Sequence, residues 1–406
     1  MAQLIIRANG ADAALLTRLL EDRPGMPVHA ARSRPSRLVV DAPTAASHPE
    51  IAVAARRAGL PMLIDPQTFY LQDYQHSDDP WARLPFADPA VATVADLRSD
   101  ARTDRLVATS LEYQLARGAS MLIAPYVHVD CSSDGWAEVQ AGLYRRTRRY
   151  LDHQQLRLPV LAPVAVSWRL VGRPTWPSAM DGIVGGLREL RPDEVALAAS
   201  RVDQGKQPEE RLVDLYAAIG LLRRDWPVIA WHQGVLGEAC VAAGALGYET
   251  GIGWRERCDL SSQMSRHRKP HDGDFGPRAV YVTALGRSIP KRTVAVVIND
   301  PTIGPDLVCL DPACCPAGRQ ALLGDARVHA LIARSARLAV LAGAQHPRWA
   351  WQHLAHQAAA GLNIAERVNT RVAQSGRGVG VDTTALRAIA ITADARRQTA
   401  VRTHAA

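Results

Sequence analysis

Cys309, Cys314 and Cys315 fall within the eight residues CLDPACCP, and His329 follows in the stretch ARVHALIARSARLAVLAG. Three thiolates and an imidazole make a complete tetrahedral zinc set. Cysteine is also a common small core residue. Three of the six cysteines share this one segment, however, which favours metal over packing. With no ligand position left open, the zinc would be structural, tying the late helices to the rest of the chain. The spacing departs from C-x-x-C. The adjacent pair Cys314 and Cys315 is expected to bind with difficulty, which leaves His353 or His356 as an alternative ligand.

A second set of reactive side chains lies at the ends of apolar runs. It comprises Asp41, Asp65, His128 with Asp130, Ser167 with Trp168, Arg201 with Asp203, His232 with Gln233, and Arg255 with Glu256. Carboxylates and imidazoles in such a ring can serve as nucleophiles or as general acids and bases. Arginines can clamp phosphate or an acidic substrate. Asp41 precedes Ala-Pro-Thr and reads as a capping residue. Asp65 follows Met-Leu-Ile directly and precedes a proline that ends the run, so it is expected to be functional. After His232 the glycines at 234 and 237 form either a backbone anion cradle or a tight turn.

The elements that must position these residues alternate between two periods. Apolar runs at 4–8, 37–42, 61–65, 120–127, 159–167, 194–200, 227–232 and 248–253 read as strands. Between them, 11–21, 47–58, 104–117, 134–155, 179–189, 207–224 and 234–245 carry apolar residues at helical spacing. Continuous apolar strands separated by helices imply a parallel sheet buried on both faces. Eight of them fit a (β/α)8 TIM barrel, with the last helix following an insertion. The alternative is an open doubly wound sheet, which the lack of G-x-G-x-x-G after the first strand disfavours. The reading divides the chain into a barrel core at 1–256, a Cys-rich zinc-type insertion with closing helices at 257–371, and a flexible tail at 372–406. Two short strands are expected in the insertion, at 279–285 and 293–299. A barrel carries its active site at the C-terminal ends of its strands, where the polar ring lies.

The 406 residues carry a net charge of +8. The excess is compatible with nucleic acid, and equally with a composition rich in Arg and Ala. YRRTRRY at 144–150 spreads its charge round a helix and reads mostly as solvated surface, although with RHRK at 266–269 it could track phosphates. Six cysteines are too few and too uneven for a disulfide framework. No apolar run is long enough to span a bilayer, and the N-terminus does not read as a signal peptide, so a cytoplasmic location is expected. A homodimer is compatible with all of this.

The order of features resembles the tRNA-guanine transglycosylase family, over roughly residues 60–356. The segments that carry the resemblance are MLIDPQTFYLQ (62–72), LEYQLARGASMLIAPYVHVD (111–130), GLYRRTRRYLDH (142–153), DGIVGGLREL (181–190) and 223–254, together with the Cys cluster and its later His. The resemblance implies a zinc-containing barrel that exchanges guanine for a 7-deazaguanine in tRNA or DNA. On it, Asp65 takes the place of the base-handling aspartate. His128, Asp130, Arg201, His232, Gln233 and Arg255 would line the substrate pocket. The chain departs from the family in three ways. Where the nucleophilic aspartate belongs it reads YETGIG, which leaves Glu249 or Glu256 as substitutes; position 185 is Gly where the family reads a base with Gln; and the cysteine spacing differs. Two other readings therefore stand beside base exchange: a catalytically altered paralogue that binds nucleic acid, and an unrelated barrel enzyme with a small-molecule substrate.

Overall fold

A computed structural model describes residues 2–21, 34–73, 79–88, 90–172, 176–266, 279–312 and 314–402. Nine parallel strands form one sheet: β1 (Gln3–Ala8), β2 (Arg37–Asp41), β3 (Met62–Asp65), β4 (Leu122–Ile123), β5 (His128–Val129), β6 (Val160–Ser167), β7 (Glu194–Ser200), β8 (Val228–Ala230) and β9 (Gly247–Gly251). β4 and β5 both pair with β6 and are two pieces of one strand, interrupted around Pro125. Proline has no N–H to give a ladder, which accounts for the break. β1 pairs with β2 on one side and β9 on the other, and a bridge between Leu63 and Met121 links β3 to the segment entering β4. Eight strand positions thus close into a (β/α)8 TIM barrel. Every residue of β3, β6, β7, β8 and β9 is buried, as a sheet covered on both faces requires.

The helices between strands include Ala13–Leu20, Glu50–Arg57, Asp100–Ala116, Trp136–His153, Trp176–Leu190, Pro208–Leu222 and Gly237–Ala242. Gly234 and Gly237 serve close packing: a Cβ would lie 2.1 Å from Thr250 Oγ1 at the first and 2.3 Å from the Tyr248 ring at the second. The eighth helix, Arg327–Ala342, touches β1 and the helix Gly237–Ala242 and comes only after an insertion. The insertion carries an antiparallel hairpin, β10 (Val280–Val282) and β11 (Arg287–Ile289), turned at Gly286 with φ 62°.

Two expectations are corrected. The run TVAVVIN is not a strand but lies largely in the helix Lys291–Val297, entered from Pro290, with Val294 and Val297 buried at helical spacing. A short apolar run fits either period, and the proline set the choice. The flexible tail is also wrong. The helix Pro347–Ser375 runs past residue 372, and a further helix, Thr384–Arg402, packs on it and on Pro208–Leu222. Ala385, Leu386, Ala388, Ile389 and Ala393 are buried there, so the small residues that look mobile in sequence let helices approach closely. Among the described residues no helix is long and apolar enough to cross a membrane.

Candidate active site and metal centre

Arg7, in the buried run that opens the chain, is fully buried and organises the barrel mouth. It forms ion pairs with Asp41, with Asp65 Oδ2 at 2.8 Å and with Glu249 Oε1 at 2.8 Å. These carboxylates come from β2, β3 and β9, and Asp41 and Asp65 stand in register on neighbouring strands. Asp41 also pairs with Arg255, and Asp65 accepts hydrogen bonds from Tyr126 Oη at 3.1 Å and from Gln67 N at 2.9 Å. The Arg7 guanidinium lies 5.2 Å from the Trp231 ring centre. Burial opposes its charge, but Glu249, Asp41 and Asp65 outweigh that and hold it protonated. Burial raises the carboxyls of Asp65 and Glu249 above their ordinary range, against the pull of Arg7.

Around this hub the backbone is strained. Gln67, Arg201, His232 and Arg255, just past β3, β7, β8 and β9, have φ of 50°, 63°, 58° and 48°. Non-glycine residues in the left-handed region are uncommon and cluster at functional sites. His232 is fully buried, with its N–H donating to Glu249 Oε2 at 2.8 Å and its Nδ1 3.3 Å from the same oxygen. Neither ring nitrogen has a hydrogen-bond partner among the described residues, nor has His128 Nε2 or Gln67 Nε2. Burial, with Arg7 and Arg255, holds His232 neutral. Burial brings His128 down to about 4.

The other expected site residues spread outward. Glu256 stands apart from the hub: Arg334 Nη2 binds it at 2.6 Å and Ser288 Oγ at 2.6 Å, which ties it to the eighth helix and β11. Gln233 donates to Ala199 O at 2.8 Å and so ties the segment just past β8 to β7. Arg201 pairs with Asp259 at 2.9 Å, and the exposed Asp130 faces Arg169 at 3.6 Å. In YRRTRRY, Arg146 pairs with Asp100 and Asp104, and Arg148 with Asp152, so this helix carries paired surface charge. The side chains of RHRK lie outside the described residues. Sequence reasoning missed Arg7, Tyr126, Trp231 and Arg334. The available signal was a lone Arg inside the apolar run of β1.

The Cys and His ligands converge. The Sγ atoms of Cys309, Cys314 and Cys315 and a ring nitrogen of His329 all lie within 4.8 Å of one another. Cys314 Sγ and Cys315 Sγ are 3.3 and 3.4 Å from His329 Nδ1 and 3.9 Å from each other. Ligands bound at about 2.0–2.3 Å to one tetrahedral ion sit roughly 3.5–3.8 Å apart, so the set fits a metal ion. Both adjacent cysteines reach the cluster, because their N–H groups turn back onto Asp311 O at 3.1 and 2.8 Å. His353 and His356 take no part; His353 lies instead near Arg337 and Glu238. The contact with the Cys314 thiol, opposed by burial and helped by His329, brings Cys315 down to about 5, while Cys314 is pushed up.

No protein-family model matches this chain, and no curated protein matches it. Among solved structures it is similar to an AP endonuclease, family 2, from Brucella melitensis, at 12% identity and a TM-score of 0.33, over 66% of this chain and 98% of that chain.

Proposed function

We propose that the chain is a transglycosylase-like barrel that binds a neutral nucleobase of a polynucleotide at its mouth and does not form a glycosyl-enzyme through Asp65, Glu249 or Glu256. The observation that carries this is the division of polar groups. Each of the three carboxylates is held by a buried guanidinium, Arg7 or Arg334, whereas uncharged donors and acceptors on Gln67, His128 and His232 are left without partners among the described residues. A saturated carboxylate is a poor nucleophile, and neutral amide and imidazole groups suit the hydrogen-bonding edge of a heterocycle. The resemblance to tRNA-guanine transglycosylases supplies the ligand class. Cys309, Cys314, Cys315 and His329 would hold a structural zinc, since thiolates with imidazole select this ion.

Calorimetric titration with guanine and 7-deazaguanine tests the pocket. Gln67→Leu and His232→Phe should each weaken binding at least tenfold, and binding indifferent to both would refute the assignment. Labelled guanine incubated with tRNA and the protein should not be incorporated. Incorporation that Glu249→Gln abolishes would replace this reading with base exchange. Metal analysis should return one zinc per chain, absent from Cys315→Ser.

A second reading rests on the approach of Glu249 to His232. A carboxylate 3.3 Å from a neutral imidazole is a proton-transfer pair, suited to a barrel enzyme acting on a small molecule.

A further inference from the structure

The mouth occupies one face of the barrel. The opposite face is made by the C-terminal ends of the helices, which run against the strands. Arginines collect there. Arg56 and Arg57 end the helix Glu50–Arg57, Arg117 follows Asp100–Ala116, Arg157 precedes β6, Arg191 follows Trp176–Leu190, and Arg223 and Arg224 follow Pro208–Leu222. These turns adjoin in space: Arg56 Nη2 lies 2.8 Å from where a Cβ on Gly118 would stand, and Arg188 meets Asp225 at 3.4 Å across another pair of helix ends. The acids of the same turns are engaged. Glu21 faces Arg57 at 3.7 Å, Glu189 faces Arg145 at 3.6 Å, and Asp193 accepts from Val160 N at 2.7 Å. Arg56, Arg157, Arg191, Arg223 and Arg224 are exposed, and among the described residues none of them has a carboxylate or hydrogen-bond partner.

A cation near a helix C-terminus offsets the helix dipole. That accounts for arginines in a last turn, but not for Arg191. Gly59, Gly118 and Gly244 end their helices in the left-handed region, with φ of 65°, 82° and 108°. Arg191 and Gln155 hold the corresponding position after their own helices, with φ of 55° and 53°. Glycine adopts this conformation freely, whereas a side chain there is strained. A guanidinium is thus kept at 191 against local preference.

We propose that this face binds the phosphate backbone of a nucleic acid. Guanidiniums match phosphate geometry with paired N–H groups. The charge lies along an arc of successive helix ends, and the next turn, 243–246, carries none, a layout that suits a strand better than a plane. Adsorption to an anionic bilayer also draws on apolar area, and the exposed Trp349 stands elsewhere, at the start of Pro347–Ser375. The surface is separate from the mouth and does not depend on the function proposed above.

The experiment is fluorescence anisotropy of a labelled RNA hairpin, and of a DNA duplex, with the full chain over a salt series. The triple variant Arg157→Gln, Arg191→Gly, Arg224→Gln should weaken binding of at least one of them more than about tenfold and make its log–log salt slope shallower by about 0.7–0.9 for each phosphate no longer neutralised. Arg191→Gly alone should weaken binding while Tm holds or rises, since the left-handed position is relieved; a purely structural arginine would lower Tm instead. Arg292→Ala, exposed on the insertion, should change neither slope nor affinity. Folded triple variants that bind like the parent would overturn the proposal, as would a parent that binds neither nucleic acid. Sedimentation with phosphatidylserine vesicles covers the other polyanion: vesicle binding without nucleic-acid binding, lost in the triple variant, would overturn the proposal and assign the face to a membrane. Guanine titration reads the mouth separately. Its failure beside intact effects of the triple variant would sink the base pocket and leave this surface standing.

Discussion

Arg7 holds together charges that could not otherwise share the barrel interior. Breaking a buried ion pair by removing one partner leaves a bare charge and costs about 3–5 kcal/mol. Here Asp65 and Glu249 pair with Arg7, and Asp41 shares it with Arg255. Arg7→Met should therefore lower stability to urea at pH 7.5 by at least that amount. The deficit should shrink as pH falls toward 5, because protonation relieves the orphaned carboxylates. A variant as stable as the parent would mean that the hub is not a stabilising unit. His128 gives the opposite pH response. Its folded-state value is about 4, against about 6.5 for a free histidine. The unfolded chain therefore binds more protons between these values, and the stability present above pH 6.5 is lost as pH falls toward 4. Between pH 7.5 and 5 this amounts to about 2 kcal/mol. His128→Gln should flatten the profile by that much; parallel profiles for parent and variant would refute the assignment.

At the scale of elements, the eighth helix is where insertion and barrel are joined. Arg334 reaches Glu256, Arg337 reaches Glu238 at 2.7 Å, Arg327 Nη1 donates to Ala11 O at 2.6 Å, and His329 joins the thiols in the first turn. Glu256→Gln should cost about 3 kcal/mol by leaving Arg334 buried without a full counter-charge. Hydrogen exchange should quicken in Arg327–Ala342 and in β11, whose Ser288 N–H Glu256 accepts at 2.9 Å. Exchange unchanged in both would sever the link. A zinc chelator should loosen residues 309–329 while far-ultraviolet dichroism of the barrel stays near its starting value. Global unfolding on chelation would instead make the metal a determinant of the whole fold.

The whole molecule is bound together by its last helix. Thr384–Arg402 packs on Pro347–Ser375 and buries Ala385, Leu386, Ala388, Ile389 and Ala393, and Thr392 Oγ1 meets Tyr216 Oη at 3.3 Å on a barrel helix. Ending the chain at residue 383 should expose that face, lower Tm by roughly 10 °C and promote aggregation. A truncated chain that melts like the parent would show the helix to be an ornament rather than part of the core.

The alternation of apolar strands and amphipathic helices, the count of eight strand positions and the Cys and His residues that converge as a candidate metal site were all legible in the sequence. Each rests on local periodicity or on residue type. Asp65 and His232 were legible as well, because polar residues at strand ends must face the mouth once a barrel is assumed. Tertiary structure alone decided how the charges were paired. Glu249 and Glu256 differ little in sequence, yet one is drawn into the Arg7 hub from the neighbouring strand and the other is taken by Arg334, which lies 78 residues away. The approach of Arg56 to Gly118, between two helix ends, is likewise invisible along the chain. So is the docking of the last helix, whose small residues look like a loose tail until a partner helix approaches them. Periodicity is a property of neighbours in sequence, whereas ion pairing and close packing belong to neighbours in space.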